Sequence, residues 1–179
     1  MESRTILSAN ISELSPLFHS LEKLVVLHRS LIDALKLEYT QMSAMDTKGL
    51  HESAQTKEFL ISEIWNYEQL RIKAAEKIKQ NTPSLEKKVD VTLQNISEFF
   101  SKTDSDKLLQ YRSVLQMLVD EAKALNKKNA EFVIGSLERI EQMKRNVLGL
   151  GNNTKENYSN EGVRHPITEQ GGRFLTTEA

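Results

Sequence analysis

Residues that break regular structure are scarce in most of this chain and crowded in the rest of it. Of seven glycines and three prolines, only Gly49, Pro83 and Gly135 interrupt residues 17–148. Gly149, Gly151, Gly162, Gly171, Gly172 and Pro166 all fall in residues 149–179. Gly and Pro are the strongest local breakers. A stretch that nearly lacks them, and is rich in Leu, Glu, Lys, Ala and Gln, runs as long helices. The distribution predicts an all-α protein. Its body, residues 1–150, is an elongated antiparallel helical bundle: a long hairpin, a short third helix and a long fourth. Residues 151–179 are a flexible tail. Long amphipathic helices offer no obvious cleft, which favours holding another protein over catalysis.

Composition narrows the class further. A chain of 179 residues is one domain with room for an appendage. Hydrophobic residues make up 39% and charged residues 27%. That apolar share lies below the globular average, as slender rods with much surface require. The net charge is -1 and both signs are mixed along the chain, so nothing favours nucleic acid or an anionic membrane. There is no cysteine. This excludes disulfides and thiolate sites and fits a reducing compartment. Residues 1–10 hold no apolar run of the signal-peptide kind, and the run 24–27 is far too short to span a bilayer. The expected location is the cytoplasm.

Periodicity places the helices. The first covers residues 14–45, with Ser15 as cap and Pro16 at the first helical position. Leu14, Leu17, Leu21, Leu24, Leu31, Leu35, Met42 and Met45 follow a heptad, and Phe18, Val25, Ile32 and Tyr39 widen it to a bundle face. Asp46 caps a second helix, with Gly49 in its first turn. So short a connection makes the two helices an antiparallel hairpin. The second helix runs to about residue 80, turning Leu50, Ala54, Ile61, Ile64, Ala75 and Ile78 inward. Thr82-Pro83 opens a third helix striped by Leu85, Val89, Leu93, Ile96, Phe99 and Phe100. Residues 101–106 form a turn. A fourth helix then runs from about residue 107 to 148, lined by Leu108, Tyr111, Leu115, Leu118, Ala122, Leu125, Phe132, Ile140, Met143 and Val147. The tail has no period, and its composition buries too little to offset chain entropy. Tyr158, Val163, Ile167, Phe174 and Leu175 are spaced along it like anchors for a partner.

Three features could carry function. Polar residues intrude into the hairpin seam: His28 and Glu38 on the first helix, Lys57, Glu68 and Arg71 on the second. Folding near residue 47 sets Glu38 opposite a position close to Lys57, and His28 near Trp65 or Glu68. Such groups fix register and pairing, or they let the bundle open for a partner. A carboxylate-bundle metal site needs Glu-x-x-His on facing helices, and the chain has no such tetrapeptide. The second feature is Phe132-Val133-Ile134, followed by Gly135, Ser136 and Leu137. Three consecutive large apolar residues sweep about 200° of a helix, more than one inward stripe hides. Either a second face is covered, within the monomer or a homodimer, or it is a docking groove. The tail is the third, as a solvated terminus or a binding segment. For catalysis there is nothing. His19, His28, His51 and His165 join no nucleophile arrangement, and no phosphate-cradling loop follows a strand.

These residues also carry a resemblance. Glu38-x7-Asp46-x3-Leu50-x6-Lys57-x2-Leu60 and then Glu68-x2-Arg71 look like the N-terminal half of the FlgN-like flagellar export chaperones. Leu125-x3-Asn129-x3-Val133-x3-Leu137 and then Tyr158-x3-Gly162 resemble the C-terminal half. The resemblance implies a small helical cytosolic chaperone that uses no cofactor. It binds hook–filament junction proteins before secretion, shields their terminal helices and delivers them to the export gate of the flagellar type III apparatus. By that likeness Phe132, Val133, Ile134 and Leu137 lie in or beside the client surface, with Met143 further along the same helix. Tyr158 and Gly162 mark a tail segment that meets the client or the gate. The remainder of the tail departs from the pattern, being glycine-rich with His165-Pro166. The reading from another class is a coiled-coil adaptor or oligomerisation module with no secreted client.

Overall fold

The computed structural model describes residues 11–82, 92–148, 157–158 and 164–165, with side chains placed from residue 14 to residue 148 within that set. Among the described residues four helices follow in order: α1 (Ile11–Ser43), α2 (Thr47–Asn81), α3 (Leu93–Ser97) and α4 (Lys102–Val147). Two short strands come after them, β1 (Asn157–Tyr158) and β2 (Arg164–His165). The all-α architecture with two long paired helices is the one the breaker distribution predicts.

The turn between α1 and α2 is built by local chemistry. α1 ends at Ser43, two residues before the expected limit. Met45 takes a left-handed conformation with φ 56°. Its N–H donates to the Met42 carbonyl at 3.2 Å, and the Asp46 N–H donates to the Gln41 carbonyl at 2.9 Å. This closure satisfies carbonyls that the helix end leaves orphaned, and glycine is its usual occupant. Met45 is consequently exposed rather than on the core stripe. Asp46 caps α2 as expected, its Oδ1 accepting from the Gly49 N–H at 3.0 Å. Gly49 has no room for a side chain. A Cβ there would lie 2.3 Å from Asp46 Oδ2 and 2.7 Å from Gln41 Nε2.

At its other end α1 starts earlier than its capping signal suggests, so Pro16 lies inside the helix. As the sixth helical residue, Pro16 gives up one backbone hydrogen bond and crowds the Ser12 carbonyl.

Cross-helix partners define the hairpin. The Ser53 hydroxyl donates to Gln41 Oε1 at 2.6 Å, Lys57 pairs with Glu38, and the His19 and Tyr67 rings meet edge-on at 6.3 Å. Partner numbers fall on one helix as they rise on the other, so α1 and α2 are antiparallel. α2 buries Gly49, Ser53, Leu60, Ala75 and Ile78. The expected inward positions Ala54 and Ile61 are exposed. The seam there runs through 53, 57 and 60, because Gln41 and Glu38 claim Ser53 and Lys57.

Thr82 closes α2, its N–H donating to the Lys79 carbonyl at 3.1 Å. The expected third helix over Pro83, Leu85 and Val89 lies outside the described residues. α3 is one short turn capped by Thr92, whose Oγ1 accepts from the Asn95 N–H at 3.2 Å. Leu93, Ile96 and Phe100 join Leu14, Leu17, Leu21, Ala75, Ile78 and Leu108 in one core cluster. α4 begins at Lys102, earlier than the expected 107, because Ser101 is its cap. The Asp104 N–H donates to Ser101 Oγ at 3.2 Å, and the Ser101 hydroxyl donates to Asp104 Oδ2 at 2.7 Å. Ser101 thus caps α4 through its hydroxyl, and the Asp104 carboxylate holds that hydroxyl in place.

α4 then runs alongside α1 in the same direction. Phe18 meets Tyr111 at 6.1 Å between ring centroids. Further on, Lys36 pairs with Glu121 at 3.0 Å and Lys128 lies 4.2 Å from the Tyr39 ring centroid. Val25, Ile32, Leu35, Leu118 and Ala122 form a second core cluster between these two helices. The chain groups into two compact units, Met1–Asn129 and Ala130–Ala179, so the division falls inside α4. In the second unit β1 and β2 pair antiparallel, Asn157 with His165 and Tyr158 with Arg164. The tail therefore contains a short ladder that its composition did not suggest. Two backbone segments can pair without a core.

Candidate partner-binding face of the fourth helix

Apolar residues recur along all of α4, but beyond Asn129 the repeat shifts by one residue and its burial changes. Leu108, Leu118 and Ala122 are buried in the first unit, and Tyr111, Leu115 and Leu125 pack beside them. In the second unit Ala130, Val133, Leu137, Ile140, Lys144 and Val147 follow alternating steps of three and four, the spacing of a heptad seam. None of these is buried. The large apolar ones range from 44% exposed at Val133 to 76% at Val147. Ile134 and Met143 flank the row and are exposed as well.

The sequence-predicted set thus divides. Phe132 is half-buried, and Val133, Ile134, Leu137 and Met143 are exposed. Ile140, Met143 and Val147, expected to line the helix inward, face solvent instead. Periodicity marks an apolar row but carries no information about whether a neighbour covers it. A side chain added at Gly135 would meet nothing within 4 Å. The backbone there is open to close approach. Ser136 donates its hydroxyl back to the Phe132 carbonyl at 2.7 Å and accepts from Arg139 Nη2 at 3.5 Å.

The last buried residue of α4 is polar. Asn129 is 4% exposed, and its Nδ2 donates to the Leu35 carbonyl and to Glu38 Oε2, each at 2.9 Å. Glu38 also holds Lys57 through its other oxygen. One carboxylate therefore joins all three long helices. The Lys57 and Glu38 side chains keep only 19% and 16% of their exposure, so desolvation raises the cost of separating them. Asn129 Oδ1 is buried and makes no hydrogen bond. The Glu38–Lys57 pairing was legible from the heptads, whereas the part played by Asn129 was not. Asn129 stands on the inward line of α4 after Leu118, Ala122 and Leu125, but its partners depend on the register of two other helices.

The other seam residues make hydrogen bonds within their own helices. His28 Nδ1 lies 2.8 Å from the Leu24 carbonyl of its own helix. Arg71 Nε donates to both oxygens of Glu68 at 3.0 and 2.9 Å, a pair within one helix rather than across the seam. Tyr158 lies in β1, and Gly162 is outside the described residues. On the hairpin, Ala34, Leu37, Phe59 and Leu60 line an apolar groove of about 400 Å³ that the heptads did not reveal. Among the described residues no three His, Asp or Glu side chains gather as a metal site, and no helix is long and apolar enough to cross a membrane.

A long helical hairpin, a parallel third rod and a bare apolar row at that rod's end define an all-α protein whose distinctive surface is one helix face. The model of the FlgN protein family matches residues 13–166, and the chain belongs to that family of flagellar export chaperones. No curated protein and no solved structure matches it.

Proposed function

We propose that this protein is a cytoplasmic chaperone of the flagellar type III export system. It binds the terminal helices of hook–filament junction proteins, prevents their premature assembly and delivers them to the export gate. The observation that carries this reading is the change in burial along α4, whose last fully buried residue is Asn129 and whose large apolar residues from Val133 onward are exposed. A client helix has an apolar stripe that stays unpaired until assembly. A complementary exposed stripe covers it in helix-in-groove fashion. Val133, Ile134, Leu137 and Met143 supply that stripe, with Phe132 at its edge. Tyr158 and Gly162 belong to a tail segment that engages the client or the gate. Membership of the FlgN family supports the chaperone role. The test is co-purification of the full chain with the hook–filament junction proteins of the same genome. Capture that is lost on Leu137→Asp, with helicity unchanged, supports the reading. Capture indifferent to that substitution places the client elsewhere.

A further inference from the structure

The bare row of α4 contains one charge. Lys144 stands in the same heptad line as Val133, Leu137, Ile140 and Val147, where a docked helix would cover it. Among the described residues it has no carboxylate partner. The acid three residues before it, Glu141, reaches Arg145 instead at 4.0 Å. A cation in the last turn suits the helix dipole, but that role does not require a seam position. Arg145 fills it from outside the row.

A second copy of this chain answers the charge poorly. An antiparallel pairing that sets Leu137 against Ile140 sets Lys144 against Val133. A parallel pairing sets Lys144 against its own equivalent. A purely apolar helix would leave the ammonium unpaired, its stem bent out past the interface to reach water, and a covered charge without a partner is disfavoured. A helix with a carboxylate at that level leaves nothing unpaired and gains a charge-assisted hydrogen bond.

We propose that Lys144 determines partner choice: the helix received by this face is amphipathic, with an Asp or Glu set into its apolar stripe opposite Lys144. The inference rests on the docking reading above. It is tested with the full chain and labelled synthetic helical peptides of about 20 residues. These carry Leu at each seam position except one, which is Glu, Gln or Lys. Fluorescence anisotropy should show the Glu peptide binding at least about tenfold tighter than the Gln peptide. Lys144→Met should erase that preference, and Lys144→Glu should shift it to the Lys peptide. Equal binding of Glu and Gln peptides to the wild type, or a preference that survives Lys144→Met, overturns the role of Lys144 while docking stands. If no peptide binds either the wild type or Lys144→Met, the docking reading falls with it.

Discussion

Met45 is held where L-residues are disfavoured, and its side chain touches little. A left-handed non-glycine residue costs roughly 1–2 kcal/mol, while glycine at the same helix terminus is free of that cost but loses more entropy. Met45→Gly is therefore expected to raise stability by about 0.5–1 kcal/mol, read as a higher urea midpoint with unchanged slope. Gly49 is the opposite case. Alanine is the better helix former by about 1 kcal/mol, yet its Cβ would push Asp46 off its cap and disturb Gln41. Losing a cap costs about 1 kcal/mol or more, so Gly49→Ala should lower the melting temperature rather than raise it. Lys57→Met leaves the half-buried Glu38 with Asn129 alone and should cost about 2 kcal/mol. Rescue by a second change, Glu38→Met, would show that the loss came from the stranded carboxylate. Asp46, Glu38 and Lys57 were readable because capping and heptad position depend on near neighbours in the chain. His28, Glu68 and Arg71 were on the right helices but took partners within them, since an i,i+3 or i,i+4 contact is always within reach.

The elements themselves were legible where breakers and caps agree. The α1–α2 turn follows from Asp46 and Gly49, and the end of α2 from the residues before Pro83. The sequence places the start of α4 near residue 107 rather than at Lys102, because Ser101 and Asp104, which together cap the helix, sit in a stretch with the composition of a turn. Within α2 the inward set was off by one at 54 and 61, since two polar contacts rather than the apolar pattern decide which face meets α1. Along α4 the two halves of one helix should respond differently to the same substitution. Leu118, buried against α1, should lose about 2–4 kcal/mol as Leu118→Ala. The exposed Leu137 should lose under about 0.5 kcal/mol as Leu137→Ala. Thermal denaturation of both variants separates core from available surface, and equal losses would mean that residue 137 is covered in solution.

For the whole molecule, what the sequence could not convey is where cover ends. Apolar residues recur along α4 as far as Val147, with a shift of one residue after Asn129, whereas full burial ends at Asn129. That limit depends on which residues of α1 face α4 and how far α1 runs, neither of which is local to α4. A chain ending after residue 150 should keep its cooperative unfolding, because both core clusters lie before it. The same truncation should impair client capture or delivery if the Tyr158 segment acts as proposed. An unchanged secretion assay would remove the tail from the mechanism.

The uncovered seam of α4 also has a colloidal side. An oily strip facing water makes neighbouring molecules mutually attractive, and excluded salts such as ammonium sulfate strengthen that attraction. A concentrated stock held without its ligand should cloud at lower ammonium sulfate than one carrying Leu137→Asp, and a bound helix should restore its clarity.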